Sequence, residues 1–480
     1  MLITLLIACP VVAAIISIAV KKNLILERVA AIAAVVEFVA GVAVVSQVVE
    51  VGGYKVGTFF DIDALNAIVL LIIVTIGLAA TFYSIGYLRE EVLKKIIFHR
   101  VRQYYILLHF FFAAMLFAVS TTNPIMMWIA IEATTLSTAF LISFYGKPTS
   151  LEAAWKYLII NSVGLLLGFL GTLLFFTATH DTGSGFISWQ TLLQNATNLN
   201  PVVAKIAFIF AFIGYGTKVG FVPMHTWKPD AYSKAPAPLG ALFTGPLLSI
   251  ALLAILRYKI IVDAAVGAQY SSQILVFFGS LTLLVASLII FTQKNYKRLF
   301  TYSSIEHAGL MALGFGFGGV GVFMALLHLI YHSLAKSVIF FSSGNLLLKY
   351  GSAKIVNVKG SLKILPITSV LLLLGFLAIT GVPPFGLFIT EFYILAAGIS
   401  GHLFVSIVAI LSLALIFAGF LKHVSQMMFG DAPAHFQKGE FNYLTLASPI
   451  FLLVLLVVLG FFLPTPLRSL LTAASNLIQK

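Results

Sequence analysis

Long apolar stretches alternate with short polar segments along the whole chain. Each stretch holds about twenty residues, which at a helical rise of 1.5 Å per residue crosses the hydrocarbon core of a bilayer. We count about fourteen of them by this criterion. Their approximate bounds are 2–20, 28–50, 63–87, 104–119, 124–144, 155–178, 203–222, 238–256, 273–292, 299–315, 319–346, 366–395, 403–429 and 444–463. The pattern predicts an all-α integral membrane protein.

The composition agrees with this prediction. The chain is 60% hydrophobic and 9% charged, with a mean hydropathy of +1.07, which excludes an ordinary water-soluble domain. Its single cysteine, Cys9, lies inside the first apolar stretch. One cysteine excludes a disulfide framework and a cysteine-ligated iron–sulfur cluster or zinc site within this chain. We therefore predict no cofactor, no metal and no redox centre here, so partner subunits carry any electrons.

The net charge of +13 reflects loop cations and does not indicate a nucleic-acid partner. Most of the 29 lysines and arginines fall in alternate connections between the apolar stretches. Lys95, Lys228 and Lys297 are counted among these loop cations. By the positive-inside rule, this asymmetry predicts that both termini lie on the outer face of a cell inner (cytoplasmic) membrane.

Glu132 stands in the middle of the apolar stretch MMWIAIEATTLSTAFLI. A charged residue at the centre of a membrane helix costs about 2.5–3.5 kcal/mol on insertion scales, so its presence suggests a function. The structural alternative is a protonated carboxyl that bonds Thr134 or Thr135. We favour a proton-handling role for Glu132.

Lys218 lies in FIGYGTKVGFVPMHTW, where flanking glycines and Pro223 predict an interrupted helix. The carbonyls freed by a break are tolerated in lipid only where they line a hydrated cavity. A lysine beside such a cavity can take up or release a proton as a carboxylate approaches or withdraws, although simple anchoring is the alternative. We expect Glu132 and Lys218 to lie within ion-pair distance or one bridging water.

His328, His332 and Lys336 are spaced i, i+4 and i+8, so they share one stripe of a helix. Two histidines at this spacing also suit a metal. However, no acidic residue lies near them in sequence, and Lys336 would repel a cation. A proton relay is favoured, because imidazole accepts a proton at one nitrogen and donates from the other.

A second interrupted helix is predicted at Gly381, Pro383, Pro384 and Gly386, with Glu391 soon after the break. Two broken helices in corresponding places indicate an inverted-repeat transporter with its site near the membrane midplane. The predicted divisions are an N-terminal three-helix segment (1–102), a first five-helix repeat (103–258), a second five-helix repeat (271–431) and a C-terminal helix (432–480).

Four segments resemble a known family. They are GYGTKVGFVPMHTWKPDAYSKAPAP (214–238), KRLFTYSSIEHAGLMALG (297–314), HLIYHSLAKSVIFFSSG (328–344) and GVPPFGLFITEF (381–392). They are similar to the antiporter-like subunits of respiratory complex I, Mrp cation/proton antiporters and membrane-bound hydrogenases. Residues 131–159 most resemble component F of hydrogenase-4 and formate hydrogenlyase complexes.

The resemblance implies roles for individual residues. Glu132 matches the acidic residue of the family's fifth helix, and Lys218 matches the lysine of its broken seventh helix. Glu391 matches the titratable residue of the broken twelfth helix. The stripe His328, His332 and Lys336 matches the central relay.

One position departs from the family pattern, because Ser249 stands where many members have a lysine. This weakens the central link unless a water bridges it, and we expect Ser249 to face the path.

The resemblance implies a proton-translocating subunit of a redox-driven ion pump. Expected partners are the lipid bilayer, antiporter-like sister subunits, and peripheral redox subunits with iron–sulfur proteins and a [NiFe]-hydrogenase as candidates. Enzyme status is left open, because this chain would only translocate the ion. An Mrp-type sodium/proton antiporter and a membrane scaffold with an interrupted path are the alternatives.

Overall fold

The computed structural model describes residues 2–94, 96–177, 187–433 and 435–479, so the predicted loop cation Lys95 lies outside the described residues. Helices dominate this part of the chain. Their bounds are α1 Leu2–Ala19, α2 Asn23–Val51, α3 Ala64–Leu93, α4 Phe98–Ser120, α5 Pro124–Ile142, α6 Pro148–Phe176, α7 Trp189–Gln194, α8 Pro201–Val219, α9 Trp227–Lys234, α10 Ala237–Leu242, α11 Leu248–Val266, α12 Ala268–Ile290, α13 Tyr296–Phe317, α14 Val320–Tyr350, α15 Ser361–Ile364, α16 Pro366–Ile379, α17 Gly386–Ile399, α18 Leu403–Met428, α19 Leu444–Phe461 and α20 Thr465–Gln479.

The predicted spans all correspond to helical structure. Within the described residues, twelve helices are long and apolar enough to cross a membrane, with α10 and α11 joined as Ala237–Val266. The shorter helices α16 and α17 together occupy the predicted span 366–395. Helix α13 occupies the span 299–315 and is more polar than the twelve, but almost all of its side chains are buried. A count of about fourteen spans is therefore consistent with the fold.

Both predicted helix interruptions are present. Helix α8 ends at Gly220, which has a φ of 89°, and the chain resumes as α9. Helix α16 ends before Gly381, which has a φ of 64°, and the chain resumes as α17. A third irregularity was not predicted: a π-helical turn at Phe243–Leu247, with Pro246 inside it, joins α10 to α11. Proline lacks the backbone N–H that a regular helix needs at this point.

Two elements differ from a purely transmembrane helical chain. Strands β1 (Tyr54–Val56) and β2 (Phe60–Ile62) form an antiparallel hairpin between α2 and α3. Helix α20 follows the last predicted span and buries Leu467, Leu471 and Ile478 on one face. Apolar runs of about twenty residues predict membrane spans only, so they do not predict these shorter elements.

Helices α14, α10 and α11 form the interior of the protein and are almost entirely buried, whereas α1, α2 and α18 expose large apolar side chains. Glycines allow α12 and α13 to cross closely. A Cβ atom on Gly279 would lie 2.8 Å from the Gly309 carbonyl oxygen, and the reverse distance is also 2.8 Å. Small residues at such crossings are typical of membrane helix packing. This crossing holds α13 against the interior helix α14.

Candidate functional site

The first cluster joins α5, α6 and α8, with Lys218 buried and Glu132 half-buried. The Lys218 amine, at the C-terminal end of α8, donates to the Thr135 hydroxyl and to the Tyr157 hydroxyl, each at 2.8 Å. Thr135 is 3.3 Å from a carboxylate oxygen of Glu132, and Ser162 donates to the other oxygen at 2.6 Å. Glu132 and Lys218 are therefore linked through one threonine hydroxyl, in the place where the sequence analysis expected an ion pair or a water.

The carbonyls freed by the first helix break are paired within the protein. Trp227 of α9 donates from Nε1 to the Thr217 carbonyl at 2.9 Å, and Lys228 donates from Nζ to the Val219 carbonyl at 2.7 Å. This corrects the expectation that both carbonyls would simply line a hydrated cavity. The segment after the break folds back and supplies the donors, because unpaired backbone groups are costly in lipid.

Lys228 and Lys297 are buried, which corrects their assignment to loops. Lys228 is fully buried, and the Val219 carbonyl is its one hydrogen-bond acceptor in the described part of the chain. It lies within electrostatic range of both His332 and Lys336. The Lys297 amine donates to a backbone carbonyl in the turn before α10, at 2.7 Å. Lys297 lies two residues before the apolar stretch 299–315. Lys228 lies between the stretches 203–222 and 238–256, where nothing in the sequence distinguishes it from a loop cation.

The second cluster surrounds α14, where His328, His332 and Lys336 are all fully buried on one stripe, as predicted. His328 Nδ1 lies 2.8 Å from the Thr390 hydroxyl of α17. The Lys336 amine donates to the Phe300 carbonyl at 3.0 Å. Among the described residues, neither ring nitrogen of His332 has a hydrogen-bond partner.

Glu306 and His307 of α13 complete this cluster and were missed as site residues. His307 Nδ1 lies 2.9 Å from His328 Nε2, and its ring centre is 5.0 Å from that of His332. Glu306 Oε1 is 3.4 Å from His307 Nε2. Both residues lie inside the predicted span 299–315, in a segment that contributed only to the family resemblance.

Glu391 joins the same cluster across the second helix break. It is 9% exposed, and its Oε1 atom has no hydrogen-bond partner within the described residues. Ligating atoms of Glu391, His307 and His328 all lie within 4.8 Å of one another. The fold therefore unites two predicted groups that are far apart in sequence.

Ser249, which was expected to face the path, stays a predicted path residue. It is fully buried in α11, and its hydroxyl donates to the Gly245 carbonyl of its own helix segment at 2.8 Å. Serine in a helix commonly bonds the carbonyl four residues earlier. Lys228 is a further buried polar group near the α14 cluster, since it lies within electrostatic range of His332 and Lys336.

Glu37 and His109 are further buried ionisable residues outside these clusters. Glu37 lies on α2 beside Cys9 of α1, and its Oε1 atom has no partner in the described part of the chain. His109 lies on α4 with both ring nitrogens unpartnered by any described residue. Neither residue was identified from the sequence, although both stand in the middle of predicted spans.

A multi-pass helical protein with ionisable side chains buried along its interior has the architecture of an ion-translocating membrane subunit. Residues 120–417 match the family described as NADH:quinone oxidoreductase/Mrp antiporter, TM. Residues 48–94 match NADH-Ubiquinone oxidoreductase (complex I), chain 5 N-terminus. The chain belongs to this family of antiporter-like membrane subunits.

A curated relative supports the hydrogenase branch of the resemblance. The chain is 36% identical over 383 residues to the hydrogenase-4 component F homolog of Methylacidiphilum infernorum (isolate V4), covering 78% of this chain and 80% of that protein. The family resemblance found in the sequence is thereby confirmed.

Two solved structures share the fold. A chain of the membrane-bound sulfane sulfur reductase, an archaeal respiratory membrane complex, superposes with a TM-score of 0.88 at 23% identity, over 100% of this chain and 98% of that one. A chain of the Mrp complex from Dietzia sp. DQ12-45-1b superposes with a TM-score of 0.86 at 18% identity, over 99% and 97%. Both are membrane complexes, and the likeness shows that this chain has the same multi-pass helical fold.

Proposed function

We propose that this chain translocates protons as the membrane subunit of a redox-driven ion pump. The observation that carries the proposal is a row of ionisable side chains that extends from half-buried Glu132 and buried Lys218, through buried Lys228, to the α14 cluster and Glu391. Ionisable residues inside a membrane protein are energetically costly, so their presence indicates a function. Here they occur on both broken helices and on the interior helix between them.

The first step of the path is an exchange between Glu132 and Lys218. An ammonium has three donor hydrogens, and Thr135 and Tyr157 accept two of them. The Thr135 hydroxyl then donates toward Glu132. A small movement of Glu132 changes the electrostatic stabilisation of charged Lys218, and so favours proton uptake or release.

Lys228 provides the middle step. Its amine has one described acceptor, so two donor hydrogens are available for water or for a transient partner. Because it interacts electrostatically with His332 and Lys336, a charge on Lys228 is felt in the α14 cluster. This position replaces the lysine that is missing at Ser249.

The histidine pair provides a directional wire, with tautomers assigned from their partners. The Thr390 hydroxyl donates to the Leu387 carbonyl, so it accepts from His328 Nδ1–H. His328 Nε2 then accepts from His307 Nδ1–H, which leaves His307 Nε2 free to take a proton from Glu306. A proton arriving there displaces one proton along each ring to Thr390, whose hydroxyl must turn from the Leu387 carbonyl to pass its own proton on to Glu391.

The proposed partners are sister antiporter-like subunits and peripheral redox subunits of the iron–sulfur and [NiFe]-hydrogenase types. The component F likeness supports a hydrogenase complex. The proposed location is the cytoplasmic membrane, with both termini outside. Impermeant thiol labelling tests the orientation: Thr58→Cys should react from outside and Lys147→Cys from the cytoplasm, and the opposite pattern would invert the topology.

Lysine substitutions on one helix test the proposed function. In proteoliposomes containing the whole complex, Lys218→Met should abolish this subunit's proton uptake while electron transfer persists. Lys205→Met is the matched control, because Lys205 is exposed on the same helix and should retain uptake. Uptake that requires sodium would favour the Mrp alternative. Equal uptake per electron in Lys218→Met and wild type would favour the scaffold.

A further inference from the structure

His307, His328 and Glu391 present three ligand atoms of the kinds that zinc prefers. Their ligating atoms lie within 4.8 Å of one another, and all three side chains are buried. Two histidine nitrogens and one carboxylate, with an open fourth position, form a common zinc donor set. The sequence argument against a metal was that no acidic residue lies near the histidines, and the fold supplies one from α17.

The outer partners of a metal site are also in place. A ligating histidine usually donates its other ring N–H to a carboxylate, a carbonyl or a hydroxyl, which fixes the ring orientation. His328 has Thr390 at 2.8 Å from Nδ1. His307 has Glu306 at 3.4 Å from Nε2. The nitrogens that face each other, His307 Nδ1 and His328 Nε2, are then the ones available to an ion.

Small shifts would complete the coordination. Zinc ligands lie about 2.0–2.1 Å from the ion, so neighbouring ligand atoms are about 3.3 Å apart in a tetrahedron. The two histidine nitrogens, now 2.9 Å apart, must separate slightly, and the Glu391 carboxylate must approach them.

The nearby cation does not prevent binding. Lys336 directs its amine to the Phe300 carbonyl, and Glu306 interacts electrostatically with it. With Glu391 also ionised, the two carboxylates offset the charges of Lys336 and of Lys228, which interacts with Lys336. The surroundings then carry no net positive charge against a divalent ion.

We propose that His307, His328 and Glu391 form a binding site for a divalent transition-metal ion of the zinc type, with Glu306 and Thr390 as outer partners. Binding requires the lone pairs of both facing nitrogens, so their hydrogen bond breaks and the shared proton moves to His307 Nε2, which faces Glu306. A bound ion would thus interrupt the histidine wire. This inhibitory consequence rests on the proposed function, whereas binding itself does not.

Zinc binding to the purified whole complex, after chelator treatment, tests the site directly. Equilibrium dialysis should show one equivalent less of bound Zn²⁺ in His328→Gln and Glu391→Gln than in wild type. His109→Gln is the matched control, because it removes a buried, unpartnered histidine on α4. Equal binding by all four proteins would overturn the proposal.

A gentler variant covers the case in which a ligand substitution prevents assembly. Glu306→Gln changes only an outer partner and should weaken Zn²⁺ binding by about 10–100-fold. Unchanged affinity in that variant would count against the geometry. If wild type binds Zn²⁺ at these residues but keeps its full proton uptake, the site stands and the histidine wire of the proposed function is contradicted.

Discussion

At the scale of single residues, the path depends on where charged groups are buried. Lys228 and Ser249 illustrate this most clearly. Many family members have a lysine where Ser249 stands, and here the segment after the first helix break brings in the buried Lys228. The Ser249 hydroxyl donates within its own helix, so its hydrogen is already engaged.

Substitution of these two residues separates the two possible middle links. Lys228→Met should lower proton uptake per electron by about tenfold or more, because a positioned proton-transfer group contributes about 10²–10⁴-fold. Ser249→Ala should remain close to wild type. The measurement is the ratio of proton uptake to electron transfer in proteoliposomes. A loss in Ser249→Ala with normal uptake in Lys228→Met would reverse the assignment.

The sequence indicates the ionisable residues that stand alone in apolar stretches, but it does not indicate which hydroxyl groups bond them. Glu132, Lys218, His328, His332, Lys336 and Glu391 were found because each stands alone in an apolar stretch or on a helical stripe. Thr135 and Tyr157 could not be found, since their contacts with Lys218 depend on how α5 and α6 pack against α8. Hydroxyls are common in such helices, and only tertiary structure selects the ones that act.

At the scale of elements, the two broken helices position the site. Gly220 ends α8 with a φ of 89°, and a Cβ atom there would lie 2.7 Å from Lys228 Cδ. Gly52, which ends α2, has a φ of 86° and is likewise left-handed, with nothing within 4 Å of such an atom. The two glycines therefore share a backbone conformation and differ in their surroundings.

Alanine at these glycines distinguishes backbone strain from collision. Gly52→Ala should cost about 1–2 kcal/mol, the usual penalty of left-handed backbone for a residue with a side chain. Gly220→Ala should cost more and should also reduce proton uptake, because Lys228 must move. Thermal denaturation of the solubilised complex measures the first effect. Equal midpoints and equal uptake in the two variants would show that the Lys228 contact is unimportant.

Helix positions could be predicted from the apolar runs, and the breaks from glycine and proline. The π turn at Phe243–Leu247 could not, because a single proline inside an apolar run is compatible with either a kink or a regular segment. The hairpin of β1 and β2 and the amphipathic helix α20 also escaped, since neither has the length of a span.

At the scale of the whole molecule, the fold brings residues from distant parts of the chain into one row. Lys218 contacts α5 and α6, and Lys228 lies within electrostatic range of His332 on α14. A carboxylate oxygen of Glu391 lies within 4.8 Å of a ring nitrogen of His307 and of His328. The division into repeats 103–258 and 271–431 remains a prediction that fits the placement of one broken helix in each. The row crosses from one predicted repeat to the other at Lys228.

The most direct test of the account is the charge of Glu132 at the beginning of the row. Glu132→Gln keeps the size and hydrogen-bonding capacity of the side chain but removes the charge that tunes Lys218. Glu37→Gln is the matched control, because it neutralises a buried carboxyl on α2 outside the row. Both variants should leave the complex assembled.

Proton uptake per electron is measured in proteoliposomes of the whole complex, with sister antiporter-like subunits inactivated so that they cannot mask a loss. The account predicts that Glu132→Gln abolishes uptake while electron transfer continues, and that Glu37→Gln retains it. Unchanged uptake per electron in Glu132→Gln would contradict the proposed path.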